Sequence, residues 1–207
     1  MSIQGEGLDA GRPCAFVRMA GCNLRCTYCD TAYAWEETLG TVMTVDAVLA
    51  WVGQSGTKLV EVTGGEPLIQ PAVNPLMEGL LAAGYEVLLE TNGHVDASGV
   101  PEGVVRIIDV KTPGSGMACG CYLANLPALR ATDQIKFVLT GRQDYEWSCR
   151  LLESHPEMMQ TKAVLFSPAY GSLAPRDLAE WIIADRLPVR FQLQLHKYVW
   201  APETRGV

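Results

Sequence analysis

The most informative stretch of this chain is Ala15-Phe16-Val17-Arg18-Met19-Ala20-Gly21-Cys22-Asn23-Leu24-Arg25-Cys26-Thr27-Tyr28-Cys29. Its first five residues are mostly apolar, which predicts a short strand. The strand runs directly into three cysteines with the spacing Cys-x3-Cys-x2-Cys. In α/β proteins ligands bind beyond the carboxyl ends of strands. The cysteine loop is therefore the first candidate for a functional site.

Three thiolates at this spacing, from Cys22, Cys26 and Cys29, can hold three irons of a 4Fe–4S cluster. Such clusters are normally held by four cysteines. A cluster with three protein ligands leaves one iron open to another molecule. The pattern therefore predicts a reactive cluster more than a simple electron carrier.

Zinc and disulfides are the alternatives for these cysteines. A structural zinc site needs four nitrogen or sulfur ligands, and the second pair here would be Cys119 and Cys121, whose Cys-x-Cys spacing is unusual for zinc. Seven cysteines is an odd number, and residues 1–7 show no secretory signal pattern. We expect a reduced, cytoplasmic protein in which Cys14, Cys119, Cys121 and Cys149 are inert thiols.

The bulk composition limits the possible partners. The chain has 207 residues, 48% hydrophobic and 19% charged, so it can bury a full core as one domain, 1–207. Its net charge of −7 argues against nonspecific binding to nucleic acid, which depends on basic surface. No apolar run reaches the 18 residues of a membrane span. We therefore expect a small-molecule partner, with no nucleic acid and no membrane.

Apolar segments alternate with helical patterns along the chain. Strands are predicted at residues 15–19, 58–62, 85–90, 104–110, 134–139, 163–166 and 189–195. Helices are predicted at residues 44–52, 71–83, 122–129, 144–153 and 175–183. This alternation predicts βαβ units and a parallel sheet. Six or seven strands are too few to close an eight-stranded barrel, so we expect an α/β fold with an open, partial TIM-type barrel.

Residues suited to ligand binding follow the predicted strands. Besides the cysteine loop they are Thr63-Gly64-Gly65-Glu66-Pro67, Glu90-Thr91-Asn92-Gly93, Asp109-Val110-Lys111 and Ser167-Pro168. Because the carboxyl ends of parallel strands meet at one edge, we expect these segments to surround one mouth. Each polar residue alone would more often be a cap or a solvated loop residue. Their convergence is what favours a site.

Two further residues have both a structural and a functional interpretation. Arg18 lies in an apolar strand, where it needs either a salt-bridge partner or a substrate carboxylate that its guanidinium grips with two hydrogen bonds. His196, near the carboxyl terminus, is either a half-buried core histidine or a substrate contact.

The cysteine spacing, with the aromatic Tyr28 before the third cysteine, resembles that of the radical S-adenosylmethionine (SAM) superfamily. In that superfamily SAM chelates the open iron, and an electron from the cluster cleaves it to methionine and a 5′-deoxyadenosyl radical. Gly64-Gly65-Glu66 resembles the motif that orients SAM, and Asp109-Val110-Lys111 resembles a ribose-contacting segment. The resemblance implies SAM contacts at Tyr28, Cys29, Asp30, Gly64, Gly65, Glu66, Glu90, Asn92, Asp109, Val110, Lys111, Ser167, Pro168, Ala169 and Tyr170.

A narrower resemblance extends over nearly the whole chain. Ser2-Ile3-Gln4-Gly5-Glu6-Gly7, Cys29-Asp30-Thr31 and Gln194-Leu195-His196-Lys197, taken with the motifs above, resemble the 7-carboxy-7-deazaguanine synthase family of queuosine-precursor biosynthesis. It implies a lyase that converts 6-carboxy-5,6,7,8-tetrahydropterin to 7-carboxy-7-deazaguanine with loss of ammonia, using SAM catalytically. The implied substrate contacts are Ile3, Gln4, Gly5, Arg18, Thr63, His196 and Pro202.

The same resemblance implies further partners. Thr31 would be a ligand of Mg2+, a homodimer is expected, and an external flavodoxin or ferredoxin would supply electrons. Some relatives end near Pro202, whereas this chain continues to Val207. Two other functions stay open: a radical SAM activase that makes a glycyl radical on a partner protein, and an iron–sulfur electron carrier.

Overall fold

The alternating segments form a single sheet whose strands follow one another in chain order. The computed structural model describes residues 1–206. The strands are β1 Ser2–Ile3, β2 Pro13–Met19, β3 Leu59–Gly64, β4 Glu86–Thr91, β5 Val105–Asp109, β6 Gln134–Leu139, β7 Ala163–Pro168 and β8 Arg190–Phe191. The helices are α1 Val45–Gly53, α2 Val73–Ala82, α3 Arg142–Ser154, α4 Pro175–Ala184 and α5 His196–Val199, with a 3-10 helix at Gly120–Ala128.

The sheet confirms the open, partial barrel and corrects the number of strands. Strands β2 to β8 pair in parallel, and the two-residue β1 pairs antiparallel with β2, so there are eight strands where six or seven were predicted. The predicted strand at residues 189–195 shrinks to two residues. It is short because the chain leaves the sheet after β8, and Leu195 N–H donates to the carbonyl of Gly5 at 2.9 Å.

The N-terminal segment lies across the open side of the barrel. The amide of Gly7 donates to Oε1 of Gln192 at 2.6 Å, and the amide of Leu8 donates to Oε1 of Gln134 at 3.0 Å. These side-chain acceptors, one on β6 and one directly after β8, hold the segment without a strand ladder. The opening motif of the sequence is thereby held beside the barrel interior.

The local signals for helices α1 and α4 agree with the structure. Thr44 is the N-cap of α1, and its side chain accepts a hydrogen bond from the amide of Ala47 at 3.2 Å. Pro175 begins α4, where its missing N–H costs nothing. The predicted helix at residues 122–129 is a 3-10 helix with Pro127 inside it, since proline cannot donate to an α-helical ladder.

The two faces of the strands differ in polarity. Side chains such as Val60 and Val62 of β3 pack outward against α1 and α2 in one apolar cluster, and a second cluster joins β5 to β7 with α3 and α4. On the inner face Leu59 belongs to an apolar layer, whereas Glu61 lies two residues further along the same strand. Period-two alternation thus places apolar side chains at the base of the barrel and polar ones near its mouth.

A buried ion pair ties β5 to the start of β6. Arg106 and Asp133 are 1% and 0% exposed, and the guanidinium donates to both carboxylate oxygens at 2.9 and 2.5 Å. Arg106 also donates to the carbonyls of Ala97 and Ala128. Four of the five N–H groups of this guanidinium are therefore used inside the fold.

Substitution of Arg106 tests this pair. Arg106→Met leaves Asp133 buried without its partner, so the free energy of unfolding is expected to fall by about 3–5 kcal/mol. Arg176→Met, in an exposed pair with Glu180, is the matched control and should cost about 0.5 kcal/mol or less. Urea unfolding of the two variants measures both values, and equal costs would contradict the structural role of Arg106.

None of the helices within residues 1–206 is both long enough and apolar enough to cross a membrane.

Candidate active site

One large cavity opens at the carboxyl ends of the strands. Its space measures about 1220 Å³ when the open solvent at its mouth is included, and all three clustered cysteines line it. The predicted convergence of strand ends at one mouth is therefore present in the fold.

The cysteine loop is held in place on both sides by backbone hydrogen bonds. The amides of Gly21 and Cys22 donate to the carbonyls of Ala34 and Trp35 at 2.8 and 3.0 Å. On the other side, the amide of Thr27 donates to the carbonyl of Ser115 at 3.0 Å. The loop thus presents its thiols from a fixed backbone.

The thiols of this loop are partly or fully buried. Burial raises the pKa of Cys26 and of Cys29, so both are protonated without a bound metal. Iron binds thiolates, and cluster assembly must therefore displace these protons. The thiols of Cys22, Cys26 and Cys29, which come from one loop and line one cavity, fit a 4Fe–4S cluster.

The Gly64-Gly65 pair brings the end of β3 against the cysteine loop. The amide of Gly65 donates to the carbonyl of Met19 at 2.8 Å, and the amide of Glu66 donates to the carbonyl of Gly21 at 2.8 Å. A Cβ on Gly65 would collide with the Gly21 carbonyl oxygen. The close backbone approach therefore requires glycine at position 65.

Gly65→Ala is expected to displace the cysteine loop. Because the obstacle is backbone and cannot rotate away, we expect a loss of at least about 2–3 kcal/mol in the free energy of unfolding and a lower iron content. Gly53→Ala is the matched control, since a Cβ there meets nothing within 4 Å. Thermal unfolding and iron analysis measure both variants; full iron loading in Gly65→Ala would refute the packing argument.

The side chain of Glu66 is directed into the fold and does not line the cavity. Its carboxylate accepts hydrogen bonds from the hydroxyl of Thr91 at 2.8 Å and from the amides of Asn92 and Leu68 at 2.7 and 3.0 Å. These bonds join the ends of β3 and β4. Burial raises the pKa of Glu66 although the three donors oppose this shift.

Two polar groups at the cavity wall lack internal partners. Within residues 1–206, the hydroxyl of Tyr28 and Oδ1 of Asp109 are buried without a hydrogen bond. Lys111 pairs with the other oxygen of Asp109 at 2.7 Å. Burial disfavours charge on Lys111, but Asp109 and neighbouring groups together raise its pKa. Unsatisfied buried groups beside a lysine fit the polar hydroxyl and carboxylate groups of SAM.

A network of charged side chains occupies the barrel interior below the cysteines. Lys136 contacts Glu90 and Glu6, the latter at 2.6 Å, and lies 3.7 Å from Asp109. Burial opposes the charge of Lys136, but Glu6 and Glu90 raise its pKa well above its usual value. Burial, reinforced by the negative charge of Glu90, raises the pKa of Glu61. The network therefore holds a charged lysine beside a protonated Glu61.

Arg18 places its guanidinium in the cavity. Its guanidinium carbon lies 6.0 Å from the ring centroids of both Phe16 and Tyr33, and no carboxylate within residues 1–206 pairs with it. The salt bridge to Asp or Glu, one of the two interpretations of Arg18, is thus absent from the described chain. A half-buried arginine stacked on aromatic rings and open to a cavity is suited to an anionic ligand.

His196 lies at the opposite wall with Asp30, Glu6 and Gln194. Its Nε2 is 3.4 Å from Oδ2 of Asp30, and the amide nitrogen of Gln194 contacts Glu6 at 3.0 Å. Ligand atoms of Glu6, Asp30 and His196 lie within 4.8 Å of one another. The hydroxyl of Thr31 donates to Asp30 at 2.8 Å. Oxygen ligands therefore gather near the predicted magnesium site.

Most of the predicted site residues meet in this cavity. Those that line it are Ile3, Gln4, Gly5, Arg18, Cys22, Cys26, Tyr28, Cys29, Asp30, Thr31, Thr63, Gly64, Gly65, Glu90, Asn92, Asp109, Lys111 and His196. Those that do not are Glu66, Val110, Ser167, Pro168, Ala169, Tyr170 and Pro202. Pro168 and Tyr170 line a separate shallow pocket, and the carbonyl of Pro202 accepts a hydrogen bond from Lys197.

Sequence reasoning missed several residues of the cavity wall, and four polar ones among them are Glu6, Glu61, Lys136 and Gln194. The signal for Glu61 and Lys136 was a single charge at the centre of an otherwise apolar strand. A charge is rarely buried in such a strand unless it faces a partner or a ligand. The other two lie within motifs that the sequence had already singled out.

The remaining cysteines differ from the expectation in one pair. Cys119 and Cys121 form a disulfide with a Cα–Cα distance of 5.4 Å, instead of two inert thiols. The distance lies within the range that a disulfide bridges. Cys14 is a buried free thiol and Cys149 a partly buried one.

Comparison with known proteins identifies the chain's relatives. A family model described as the radical SAM superfamily matches residues 16–110. The 7-carboxy-7-deazaguanine synthase of Koribacter versatilis is 43% identical, over 100% of this chain and 96% of the relative. The enzyme of that name from Chlorobaculum tepidum is 46% identical, over 100% of this chain and 94% of the relative.

The chain belongs to the 7-carboxy-7-deazaguanine synthase family. As a member of this family it is a radical SAM lyase, and membership implies a 4Fe–4S cluster and SAM as cofactors. These relatives do not support the glycyl-radical activase, and they overturn the electron carrier as a non-enzymatic alternative.

A solved structure shows the same fold at low identity. SuiB of Streptococcus suis bound to S-adenosylmethionine matches with a TM-score of 0.61 and 13% identity, over 87% of this chain and 49% of that chain. The likeness supports the partial barrel described above for this member of the 7-carboxy-7-deazaguanine synthase family.

Proposed function

We propose that the protein converts 6-carboxy-5,6,7,8-tetrahydropterin to 7-carboxy-7-deazaguanine with loss of ammonia; the names of its relatives give the product of this reaction. The observation that supports this most directly is Arg18, which has no carboxylate partner within residues 1–206 and lies in a cavity that also holds the three thiols. The arginine fits the carboxylate of the substrate, and the thiols fit the cluster. When bound, the cluster and SAM supply one-electron chemistry that abstracts a hydrogen atom from the substrate.

The residues of this chain bind and orient the substrate. We propose that Arg18 holds the carboxylate with two hydrogen bonds, while Ile3, Gln4 and Gly5 contact the pterin ring along the N-terminal segment. Thr63 and His196 would contact it from the walls of the cavity. Three sides of the substrate are then fixed relative to the thiols, and positioning of this kind supplies much of catalysis.

The residues proposed for SAM lie on the strand ends beside the thiols. Lys111 provides a positive charge for the carboxylate of methionine, and Asp109 provides the unpaired oxygen noted above. Tyr28 contributes a buried hydroxyl without a partner in the described chain. Gly64 and Gly65 permit close approach of backbone to the amino group.

The test is an anaerobic reaction with the reconstituted cluster, dithionite, SAM, Mg2+ and 6-carboxytetrahydropterin, followed by mass spectrometry. We expect 7-carboxy-7-deazaguanine, equimolar ammonia and recovery of SAM after many turnovers. Slow cleavage of SAM without that product would keep the superfamily assignment and refute this reaction.

A magnesium ion at Thr31 is a further part of the proposal. A hydroxyl ligand with neighbouring carboxylates fits a hard cation that retains waters. Thr31→Val removes the hydroxyl at nearly constant volume, and we expect the Mg2+ concentration for half-maximal rate to rise roughly tenfold. Thr31→Ser should restore the original requirement. An unchanged Mg2+ dependence in Thr31→Val would exclude Thr31 as a ligand.

We also propose a homodimer, since the short β1 and β8 leave strand edges at both sides of the open barrel. Sedimentation equilibrium measures the mass directly.

An external flavodoxin or ferredoxin is proposed as the electron donor, and reduction of the cluster by each in turn distinguishes them. The reaction would take place in the cytoplasm.

A further inference from the structure

Three soft metal ligands meet outside the active-site cavity. His94, Cys119 and Cys121 place one ligand atom each within 4.8 Å of one another. The sulfur of Cys119 is 3.7 Å from Nδ1 of His94. None of the three residues lines the active-site cavity. The cluster therefore has no part in the binding of SAM or pterin proposed above.

The backbone that carries these ligands is locked by a buried asparagine. Asn125 is 2% exposed, and its amide nitrogen donates to the carbonyls of Gly93 and Val95, on either side of His94, at 3.0 and 3.1 Å. Its carbonyl oxygen accepts a hydrogen bond from the amide of Ala97 at 2.8 Å. The 3-10 helix that follows Cys119 is thus fixed against the loop that carries His94.

The two cysteines direct their sulfurs to one point. They are joined as a disulfide across 5.4 Å between Cα atoms, and the amide of Cys121 donates to the sulfur of Cys119 at 3.1 Å. Two thiolates on a tetrahedral zinc ion lie about 3.8 Å apart, given a Zn–S bond of about 2.3 Å. Reduction of the disulfide followed by small side-chain rotations provides that spacing without movement of the backbone.

We propose that His94, Cys119 and Cys121 form a second metal site, which binds Zn2+ when the two cysteines are reduced. Two thiolates and an imidazole favour a thiophilic ion and disfavour Mg2+, which prefers oxygen. Within residues 1–206 the group contains these three ligands alone, so water completes a tetrahedral zinc ion. The two thiolates also neutralise the charge of the ion.

The bound ion would brace the loop after β4 against the segment after β5. The first of these carries Asn92, which donates to the side chain of Asn23 in the cysteine loop at 2.7 Å. The second carries Ser115, whose carbonyl accepts the amide of Thr27. The zinc site therefore joins two segments that both contact the cysteine loop, and it gives the Cys-x-Cys pair a structural role.

The test uses the holoenzyme with its cluster reconstituted. The protein is reduced with a phosphine under argon, freed of small molecules, equilibrated with Zn2+ by dialysis and analysed for zinc and iron by mass spectrometry. We expect one zinc per chain in addition to the cluster iron. Zinc-edge X-ray absorption should show two sulfur ligands at about 2.3 Å and nitrogen or oxygen at about 2.0–2.1 Å.

Substitutions of the three ligands and the oxidation state of the two cysteines test the proposal. Cys119→Ser/Cys121→Ser should lose the zinc, and His94→Gln should weaken it at least tenfold, while Cys149→Ser should retain it. Unchanged iron content shows that each variant is folded, and the unsubstituted disulfide form should bind no zinc. Absence of zinc in the reduced protein, equal zinc in the double variant, or zinc that replaces cluster iron would each overturn the proposal.

Discussion

Replacement of Cys26 by alanine is expected to abolish both the iron–sulfur cluster and product formation. Cys26 is 9% exposed in a loop whose backbone is fixed on both sides, so no neighbouring thiol can move into its position. Two remaining thiols do not hold a 4Fe–4S cluster that already lacks a fourth protein ligand. We expect iron to fall from four per chain to near zero and product to fall below detection.

Iron analysis and the visible absorbance of the reconstituted protein measure this loss. Cys149→Ala is the matched control, because Cys149 is a free, partly buried thiol on α3, outside the cavity. It should retain full iron and activity. Retention of the cluster in Cys26→Ala would show that another residue is the third ligand and would contradict the assigned site.

Replacement of Arg18 by alanine is expected to weaken substrate binding while the cluster and SAM binding persist. A charged hydrogen-bonding partner contributes about 1.5–3 kcal/mol, so the dissociation constant of the carboxypterin should rise roughly 10- to 150-fold. The guanidinium has no carboxylate partner in the described chain. Its removal should therefore leave no buried charge behind, and the free energy of unfolding should change little.

Titration calorimetry with the carboxypterin and with SAM separates the two effects. Arg18→Lys retains the charge and should recover only part of the affinity, because an ammonium does not form the paired bonds of a guanidinium. Arg176→Ala is a matched control, since Arg176 is exposed, paired with Glu180 and outside the cavity. Unchanged substrate affinity in Arg18→Ala would exclude the arginine as the carboxylate partner.

The inner charge network also affects the charge beside the proposed pterin site. Glu61 is buried next to Glu90, and its raised pKa keeps it protonated under conditions in which an exposed glutamate is ionised. The amide nitrogen of Gln4 donates to Glu61. Protonation of Glu61 therefore limits the negative charge next to the N-terminal segment that we propose as part of the pterin site.

Several features could be read from the sequence because they depend on local rules. The cap of α1 at Thr44 and the start of α4 at Pro175 follow from hydrogen-bonding and steric constraints within a few residues. The cysteine spacing is a property of one loop. The alternation of strands and helices was sufficient to predict the partial barrel, since right-handed βαβ connections leave few other topologies.

Other features depended on contacts between distant segments. Glu66 stays a predicted SAM contact, and only the structure shows that its carboxylate joins the ends of β3 and β4, because three donors on those segments converge on it. Ser167 stays a prediction too, and the structure shows it buried outside the cavity. The disulfide of Cys119 and Cys121 depends on a backbone conformation that the spacing alone does not reveal.

The sequence by itself determined the class of fold, the cluster-binding loop and the strand ends at which ligands meet, since each follows from periodicity or from the spacing of neighbouring residues. Only the tertiary structure decided which polar side chains face the cavity, because a strand's register and the closure of the barrel set their direction. It placed Lys136 among three carboxylates, left Arg18 without one from residues 1–206, and brought His94 to a pair of cysteines on another segment.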